Sequence, residues 1–394
     1  MTLLRFVAIL IVWFVTPFGA VNAAELRGTG DLGVIIERAD GSVCIIATTR
    51  HEKLSCVGGF GDLSHASAVF SRDERYAYIF GRDGGLTKLD LLERKIAKRI
   101  LQAGNSIGGA ISDDGTLVAV SNYKPGGIKV FDSESLDLVA DIPAIYGSDG
   151  ARSKTVGLVD APGRRFVFTL YDAGEIWMAD FSKSGNPVIS KLGKTGSQPY
   201  DALITGDGRH YIAGLFGEDG LAHVDLWNAK PHTERILENY GKGEQKLPVY
   251  KMPHLEGWAL AGGQFILPGV GHHELLAVDA KTFKQTGSVK VHGQPVFAVS
   301  RPDGRQVWVN FAHPLNDTIQ VVDIPTLKII HEFKPGPAAL HMEFAPRGHE
   351  VWLSVRDSNE VQIYDTRTFE KRATISIRKP SGIFFSARAH RLGL

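Results

Sequence analysis

One short pattern recurs along almost the whole chain. It consists of an apolar strand, a polar turn, a second strand, a loop, and a third strand that ends in aspartate; its clearest copy spans residues 64–90. The copies end 42 to 54 residues apart, at Asp90, Asp132, Asp180, Asp225, Asp279, Asp323 and Asp365. A fourth strand follows several of them, for example residues 95–100. Four short antiparallel strands in a repeat of about 40 residues are typical of a β-propeller blade.

The two ends of the chain carry incomplete copies that complement one another. Residues 33–57 contain three strands and lack the innermost one, whereas residues 382–387 form one strand without partners. Joining them completes an eighth blade and removes the exposed edges of an open sheet. We therefore predict an all-β fold, an eight-bladed β-propeller with four-stranded antiparallel blades, closed by pairing of the C-terminal strand with the N-terminal blade. The predicted domain spans residues 24–394, although the length alone favours two or three domains.

Two local features of the repeat give further predictions. The aspartates that end the third strands are expected to accept hydrogen bonds from nearby backbone amides and so to cap turns. The longest segment between blades, residues 227–249, is rich in Pro, Gly and Lys and predicts a surface excursion with a short helix at residues 234–240.

The first 23 residues predict an export signal. Arg5 precedes a ten-residue apolar run at residues 6–15, and Val21, Asn22 and Ala23 resemble a signal-peptidase site. The apolar run is too short to span a membrane. Because no cysteine lies near the cleavage point, we expect a mature periplasmic protein that is soluble and has no membrane anchor.

Charge gives no indication of a polyanionic partner. The chain has 44 basic and 43 acidic residues, a formal net charge of +1. The net charge therefore creates no electrostatic field that would favour binding to nucleic acid or to a membrane surface.

The only cysteines, Cys44 and Cys56, lie in one predicted hairpin. With Arg50 at the centre of symmetry, they face one another across two antiparallel strands. Since export makes oxidation possible, the pattern predicts a cross-strand disulfide. The alternative is two unpaired, half-buried thiols.

Several common cofactor motifs are absent or lack their structural context. The GTGDLG segment at residues 28–33 matches a dinucleotide fingerprint, but it leads into a strand rather than a helix, so no NAD is expected. The two cysteines are too far apart for heme c attachment. No helical zinc motif, serine elbow or P-loop occurs.

The polar residues at one predicted end of the ring are the candidate site. Before first strands lie His65, Asn105, Lys154, Tyr200, Asp201, His254 and His341; between second and third strands lie Arg82, Tyr123, Lys124, Tyr171, His272, His273, His313 and Arg356. Both groups open onto the same face of a propeller. Imidazole can bind iron and cations can pair with carboxylates, so the set suits a metallo-tetrapyrrole. The alternative is that each is a solvated loop residue.

These residues lie in segments that resemble a known family. The segments are RGTGDLGVIIERADG, SHASAVFSRDERYAYIFGRDG, KMPHLEGWALAGG, PDGRQVWVNFAHPLNDTIQVVD and EVWLSVRDSNEVQIYD. Over the whole mature chain, the sequence resembles the NirF family of heme d1 biosynthesis proteins. It is similar, more distantly, to the d1-heme propeller of cytochrome cd1 nitrite reductase.

The resemblance implies roles for particular residues. His65 occupies the position of the proximal iron ligand of the reductase. The two distal histidines would fall near residues 200–202 and Phe297, where this chain has none. Nitrite reduction is therefore not expected; the resemblance implies periplasmic heme d1 biosynthesis, with a late intermediate or the product bound.

Three hypotheses remain open on the sequence. In an enzyme that dehydrogenates a d1-heme precursor, His65 holds the iron and Tyr200, Asp201, His254 or His341 move protons. Arg82, Lys124 and Arg356 would bind carboxylates, with Tyr123 and His313 as further ligand contacts, and a c-type cytochrome would take the electrons. In a carrier, the same site delivers heme d1 to cytochrome cd1 nitrite reductase or another maturation enzyme. The third hypothesis is a sugar- or protein-binding scaffold; a homodimer is compatible with all three.

Overall fold

The computed structural model describes residues 30–240 and 258–390. They form eight four-stranded antiparallel sheets and one two-stranded ribbon, which confirms the predicted eight-bladed all-β propeller. The described helices are short 3-10 turns at Val270–His272, Arg356–Ser358 and Ser386–His390. In this part of the chain no helix has the length and apolar character needed to span a bilayer. The predicted signal peptide, residues 1–23, and His254 lie outside the described residues.

The strands are short and follow one another closely. In chain order they are β1 (Leu32–Glu37), β2 (Ser42–Ala47), β3 (Glu52–Val57), β4 (Ser67–Phe70), β5 (Tyr76–Phe80), β6 (Gly85–Asp90), β7 (Lys95–Leu101), β8 (Asn105–Ile111), β9 (Leu117–Lys124), β10 (Ile128–Asp132), β11 (Leu138–Ile142), β12 (Ile145–Tyr146), β13 (Ala151–Arg152), β14 (Thr155–Ala161), β15 (Arg165–Leu170), β16 (Glu175–Asp180), β17 (Val188–Lys194), β18 (Pro199–Ile204), β19 (His210–Leu215), β20 (Leu221–Asp225), β21 (Thr233–Ile236), β22 (Ala259–Ala261), β23 (Gln264–Gly269), β24 (Glu274–Asp279), β25 (Gln285–Lys290), β26 (Pro295–Ser300), β27 (Gln306–Phe311), β28 (Ile319–Asp323), β29 (Lys328–Phe333), β30 (Ala339–Phe344), β31 (Glu350–Val355), β32 (Glu360–Asp365), β33 (Lys371–Ser376) and β34 (Pro380–Phe385).

Each blade uses four consecutive strands except the first. Blade 1 has the order β3-β2-β1-β34, so the C-terminal strand is its innermost strand, as predicted. The pairing is antiparallel and sets Ile35 opposite Ile383. Blades 2 to 8 are β4–β7, β8–β11, β14–β17, β18–β21, β22–β25, β26–β29 and β30–β33. The ribbon β12–β13 lies between blades 3 and 4 in the chain.

Strand direction divides the ring into two faces. Since the strands of a blade alternate in direction, the N-terminal ends of first strands and the loops between second and third strands open onto the same face, here called the upper face. The third strands end on the lower face, where their aspartates cap turns. Oδ1 of Asp90, for example, accepts hydrogen bonds from the amides of Leu92 and Glu93. The other six aspartates also accept amide hydrogen bonds, as predicted.

The apolar core lies between neighbouring blades. Trp352 of blade 8 is fully buried and packs in a cluster with Ile35 and Ile383 of blade 1. Trp308 of blade 7 packs in the same way with Met342 and Leu353 of blade 8. These contacts bury the strands between neighbouring blades, whereas every residue of the outer strand β7 is exposed or half-buried. Because this apolar packing fixes the position of each blade, it also fixes the positions of the loops on the upper face.

The hairpin of blade 1 contains the predicted disulfide. Cys44 on β2 is opposite Cys56 on β3, and their Sγ atoms are bonded across a Cα–Cα distance of 3.9 Å. The prediction of a cross-strand disulfide is confirmed.

The helix predicted at residues 234–240 is wrong. Residues Thr233–Ile236 form β21, which pairs with β20 and completes blade 5. The chain then turns at Leu237, whose φ is +51°. Backbone pairing with an existing sheet edge outweighs the weak helical preference of a short segment.

Candidate functional site

A cavity of about 240 Å³ opens at the upper end of the central channel. Among the residues that the structure describes, those that line this cavity come from blades 1 to 5, 7 and 8. His65, Tyr200, Asp201 and His341 are all among its lining residues. We call this space the channel cavity. It brings together four of the side chains that the sequence singled out.

His65 lies in the loop that precedes β4 and is half-buried. The loop is shaped by Asp62, whose Oδ1 accepts a hydrogen bond of 2.8 Å from the amide of Ser64. Hydrogen bonds from Ser64, together with the charges of Arg82 and Arg38, hold the pKa of Asp62 below its usual value. A half-buried imidazole held at a cavity wall is a suitable ligand for a metal ion.

Tyr200 forms a phenol pair with Tyr123. Their hydroxyl oxygens are 2.7 Å apart, and the ring of Tyr200 also contacts Tyr171 and Phe216. Burial is the main cause that raises the pKa of both phenols, and the carboxylate of Asp201 adds to it. Both therefore stay protonated at neutral pH and act as hydrogen-bond donors rather than bases.

A glycine determines where the backbone of Tyr200 lies. Gly157 has φ +53° at an irregularity in β14, and a Cβ there would be 2.7 Å from the carbonyl oxygen of Tyr200. That carbonyl accepts a hydrogen bond from Thr169 Oγ1 at 2.7 Å, and the hydroxyl of Tyr211 donates to the carbonyl of Gly157 at 2.7 Å. Only glycine combines this φ with such a close approach.

The ring of His341 is held on both sides. It contacts Phe297 and Phe384, with ring centroids 5.6 and 5.3 Å away. Its Nδ1 accepts a hydrogen bond of 3.1 Å from the amide of Ile383. The neutral imidazole therefore carries its proton on Nε2 and is a donor at that atom.

The other predicted ligand contacts lie around the channel cavity rather than in its wall. Arg82 is half-buried, and its charge acts on Tyr123 and Tyr200. Arg356 makes a bidentate ion pair with Asp357. Lys124, at the end of β9, and His313, after β27, are exposed. None of these four lines the cavity.

Arg38, which is not among the residues predicted from sequence, also lines the channel cavity. Arg38 follows β1, the second strand of blade 1, and therefore occupies the same kind of loop as Arg82 and Arg356. Its position between the second and third strands of blade 1 is the sequence signal that marks it.

Comparison with known proteins places the whole propeller in one family. The cytochrome D1 heme domain model matches residues 27–389. The chain is 59% identical to Protein NirF of Pseudomonas aeruginosa, over 95% of this chain and 96% of that protein. It is 58% identical to Protein NirF of Stutzerimonas stutzeri, over 94% and 95% of the two chains.

More distant relatives share the fold and part of the sequence. Dihydro-heme d1 dehydrogenase of P. aeruginosa is 28% identical, over 89% of this chain and 70% of that protein. The solved structure of the dihydro-heme d1 dehydrogenase NirN in complex with DHE superposes with a TM-score of 0.79. It is 25% identical, over 93% of this chain and 77% of that one. The chain belongs to the cytochrome D1 heme domain family and, within it, to the NirF proteins.

Proposed function

We propose that this chain binds a d1-type tetrapyrrole in the channel cavity and acts in a late side-chain dehydrogenation step of heme d1 biosynthesis. The observation that carries the proposal is the position of His65 at the wall of the channel cavity. A relative that shares the fold over 93% of this chain is a dihydro-heme d1 dehydrogenase in complex with DHE.

The residues of the cavity fit a flat, largely apolar ring with acidic side chains. His65 supplies an imidazole for the iron, and the rings of Phe297 and Phe384 supply apolar wall. Gly108 leaves further room, since a Cβ there would meet only Ser67 Oγ, at 3.3 Å. Arg38 supplies a cation at the wall for a carboxylate.

The reaction is the conversion of a propionate to an acrylate. Two C–H bonds break, a C=C bond forms, and two protons and two electrons leave. Asp201 accepts one proton at the cavity and the second proton leaves to solvent, while Tyr200 and His341 orient the reacting side chain as hydrogen-bond donors. The two electrons would leave for an external acceptor, two equivalents of an oxidised c-type cytochrome.

A second candidate function is a carrier that delivers heme d1 to cytochrome cd1 nitrite reductase or to another maturation enzyme. The disulfide favours it, because both cysteines of the chain are bonded to one another and neither is available to attach a heme c. Under either function we propose a periplasmic location, after removal of residues 1–23. An oxidising compartment also suits the disulfide.

A turnover assay distinguishes the enzyme from the carrier. Purified mature protein is mixed anaerobically with dihydro-heme d1 and oxidised cytochrome c, and heme d1 is followed by absorbance and by a mass lower by two hydrogens. Catalytic formation of heme d1 with reduction of the cytochrome supports the enzyme. A stable complex without turnover overturns it in favour of the carrier.

The ligand assignment has its own test. We expect His65→Ala to lose the absorbance bands of the axially ligated iron. The matched control is His349→Ala, which removes an exposed histidine of the lower face. Retention of the wild-type bands in His65→Ala would overturn the role of His65, and an unchanged heme d1 spectrum in wild-type protein would overturn both candidate functions.

A further inference from the structure

The disulfide of blade 1 joins an exposed cysteine to a buried one. Cys56 lies on β3, the outermost strand of the blade, and is exposed. Cys44 lies on β2 and is fully buried. Thiol–disulfide exchange begins when a thiolate attacks one sulfur of the bond, and access helps to decide which sulfur is attacked. An incoming thiolate therefore attacks Cys56 and displaces Cys44.

A buried carboxylate lies beside the sulfur that is displaced. Glu37 lies two positions after Ile35, the residue opposite Cys44 on β1, so its side chain shares a face of the sheet with both cysteines. Its Oε2 is 4.0 Å from Sγ of Cys44, and only 8% of Glu37 is exposed. Among residues 30–240 and 258–390, no cation forms an ion pair with this carboxylate. Burying a carboxylate without a charged partner is costly, which points to a role for Glu37.

The contacts of Glu37 suit a group that transfers a proton to Cys44. Ser42 Oγ donates a hydrogen bond to Oε2, and the amide of Arg378 donates one of 3.0 Å to Oε1. These two donors hold the carboxyl group in place. In the disulfide the sulfur of Cys44 carries no hydrogen, whereas after reduction it is a thiol that can donate to Oε2. A carboxyl group in this position is a general acid for the leaving thiolate and a general base in the reverse reaction.

We propose that the pair Cys44–Cys56 is a redox-active disulfide that exchanges with a dithiol on a partner molecule, and that Glu37 transfers the proton to Cys44. The outer strand β3 pairs on one side only, with β2, so the partner approaches Cys56 from the rim of the propeller. This activity goes beyond the proposed function and does not depend on it, because none of the three residues lines the channel cavity.

The exchange takes place in two displacements. A thiolate of the dithiol attacks Sγ of Cys56, the bond between the cysteines breaks, and a mixed disulfide forms. Cys44 leaves with the electron pair and takes a proton from Glu37, which solvent replaces. The second thiolate of the dithiol then attacks the partner's own sulfur in the mixed disulfide and releases Cys56, which takes a proton from solvent. The dithiol loses two electrons and two protons, and the cysteine pair gains them.

The first test asks whether the folded protein exchanges. Oxidised wild-type protein is mixed with dithiothreitol, and free thiols are blocked at intervals and counted by mass spectrometry. We expect a rate that is proportional to the dithiothreitol concentration and roughly tenfold or more above the rate of global unfolding. A rate that equals the unfolding rate and does not depend on dithiothreitol would overturn the proposal, because reduction would then require the unfolded chain.

The second test concerns the proton transfer. In Glu37→Gln an amide of the same size cannot give up the proton. We therefore expect reduction by dithiothreitol, and reoxidation by oxidised dithiothreitol, both to slow by about tenfold or more. Since a general acid and base acts in both directions, the equilibrium constant should stay within about twofold of the wild-type value. Wild-type rates in the variant, or slowing in one direction alone, would overturn the role of Glu37.

The matched control is Glu52→Gln, which removes an exposed carboxylate of the same hairpin that pairs with Arg50. It should exchange at the wild-type rate, and circular dichroism with thermal unfolding checks that each variant folds. If Glu52→Gln slows as much as Glu37→Gln, the effect is one of general charge and the role of Glu37 is overturned.

The single variants Cys44→Ser and Cys56→Ser test which sulfur is attacked, and they do not require Glu37→Gln to fold. Each leaves one thiol, at an exposed position in Cys44→Ser and at a buried one in Cys56→Ser. With oxidised glutathione, Cys44→Ser should form a mixed disulfide roughly tenfold or more faster than Cys56→Ser. Comparable rates would overturn the assignment of Cys56 as the attacked residue.

Discussion

The backbone amide of Ile383 donates a hydrogen bond of 3.1 Å to Nδ1 of His341. Ile383 lies on β34, the innermost strand of blade 1, and His341 lies on β30, the innermost strand of blade 8. A strand at the channel has a partner on one side only, so the amides on its other edge need other acceptors. This contact closes the ring at the channel and fixes the proton of the neutral imidazole on Nε2.

Replacing His341 should reveal the structural part of its role. In His341→Ala the buried amide of Ile383 loses its acceptor, so we expect the free energy of unfolding to fall by about 1–3 kcal/mol. In His341→Asn, Oδ1 takes the place of Nδ1, so most of the stability should return. Urea unfolding measures both, and equal losses in the two variants would contradict the contact.

A pair of histidines between blades 5 and 6 should make stability depend on pH. Nδ1 of His210 is 3.0 Å from Nε2 of His223, and Phe283 of blade 6 covers the ring of His223. Burial lowers the pKa of His223 to about 4, and the charge of His210 contributes. The unfolded chain, with an ordinary histidine pKa, binds the proton first. Stability is therefore complete above about pH 6.5 and falls as the pH approaches 4.

The expected loss is about 2 kcal/mol between pH 7.5 and pH 5. Urea unfolding at both values measures it in wild type and in His223→Gln, whose amide can still hydrogen bond with His210. The variant should lose less stability than wild type over this range. An identical loss would show that the pair does not cause the pH dependence.

Gly157 should be intolerant of a methyl group. Gly157→Ala combines a positive φ with a contact of 2.7 Å to the carbonyl of Tyr200, so the backbone that carries Tyr200 and Asp201 must move. The control is Gly150→Ala, which has φ +73° but no atom within 4 Å of the added methyl. We expect Gly157→Ala to lose about 1–3 kcal/mol more than the control and to bind heme d1 more weakly. Equal thermal stability of the two variants would contradict this account.

The disulfide should stabilise the fold of blade 1. It closes a loop between residues 12 positions apart. The double variant Cys44→Ala with Cys56→Ala should be less stable by about 2–3 kcal/mol, because its unfolded chain is less restricted. A reductant should destabilise wild type and leave the double variant unaffected. A non-reduced mature protein whose mass is not two daltons below that of the dithiol would exclude the bond.

Local pattern was sufficient for most of the architecture. The aspartates that end β6 and β10 are visible in sequence because turn capping depends on residues two or three positions away. The pairing of strand β34 can be predicted from sequence, because an apolar strand without a neighbouring partner must pair with the free edge of another sheet. The prediction at residues 234–240 is wrong because Thr233–Ile236 form a strand only by pairing with the edge of β20, and that edge is not evident from the composition of the segment itself.

The sequence by itself determined the number of blades, the closure of the ring and the face on which polar side chains gather, since all three follow from strand alternation and turn chemistry along the chain. Only the tertiary structure decided that Arg38 and His341 line one cavity while Lys124 and His313 lie outside it. That choice depends on how far each loop reaches over the channel. It also depends on which charges find partners across the contact between blades 8 and 1, a contact between residues that are more than 300 positions apart in the chain.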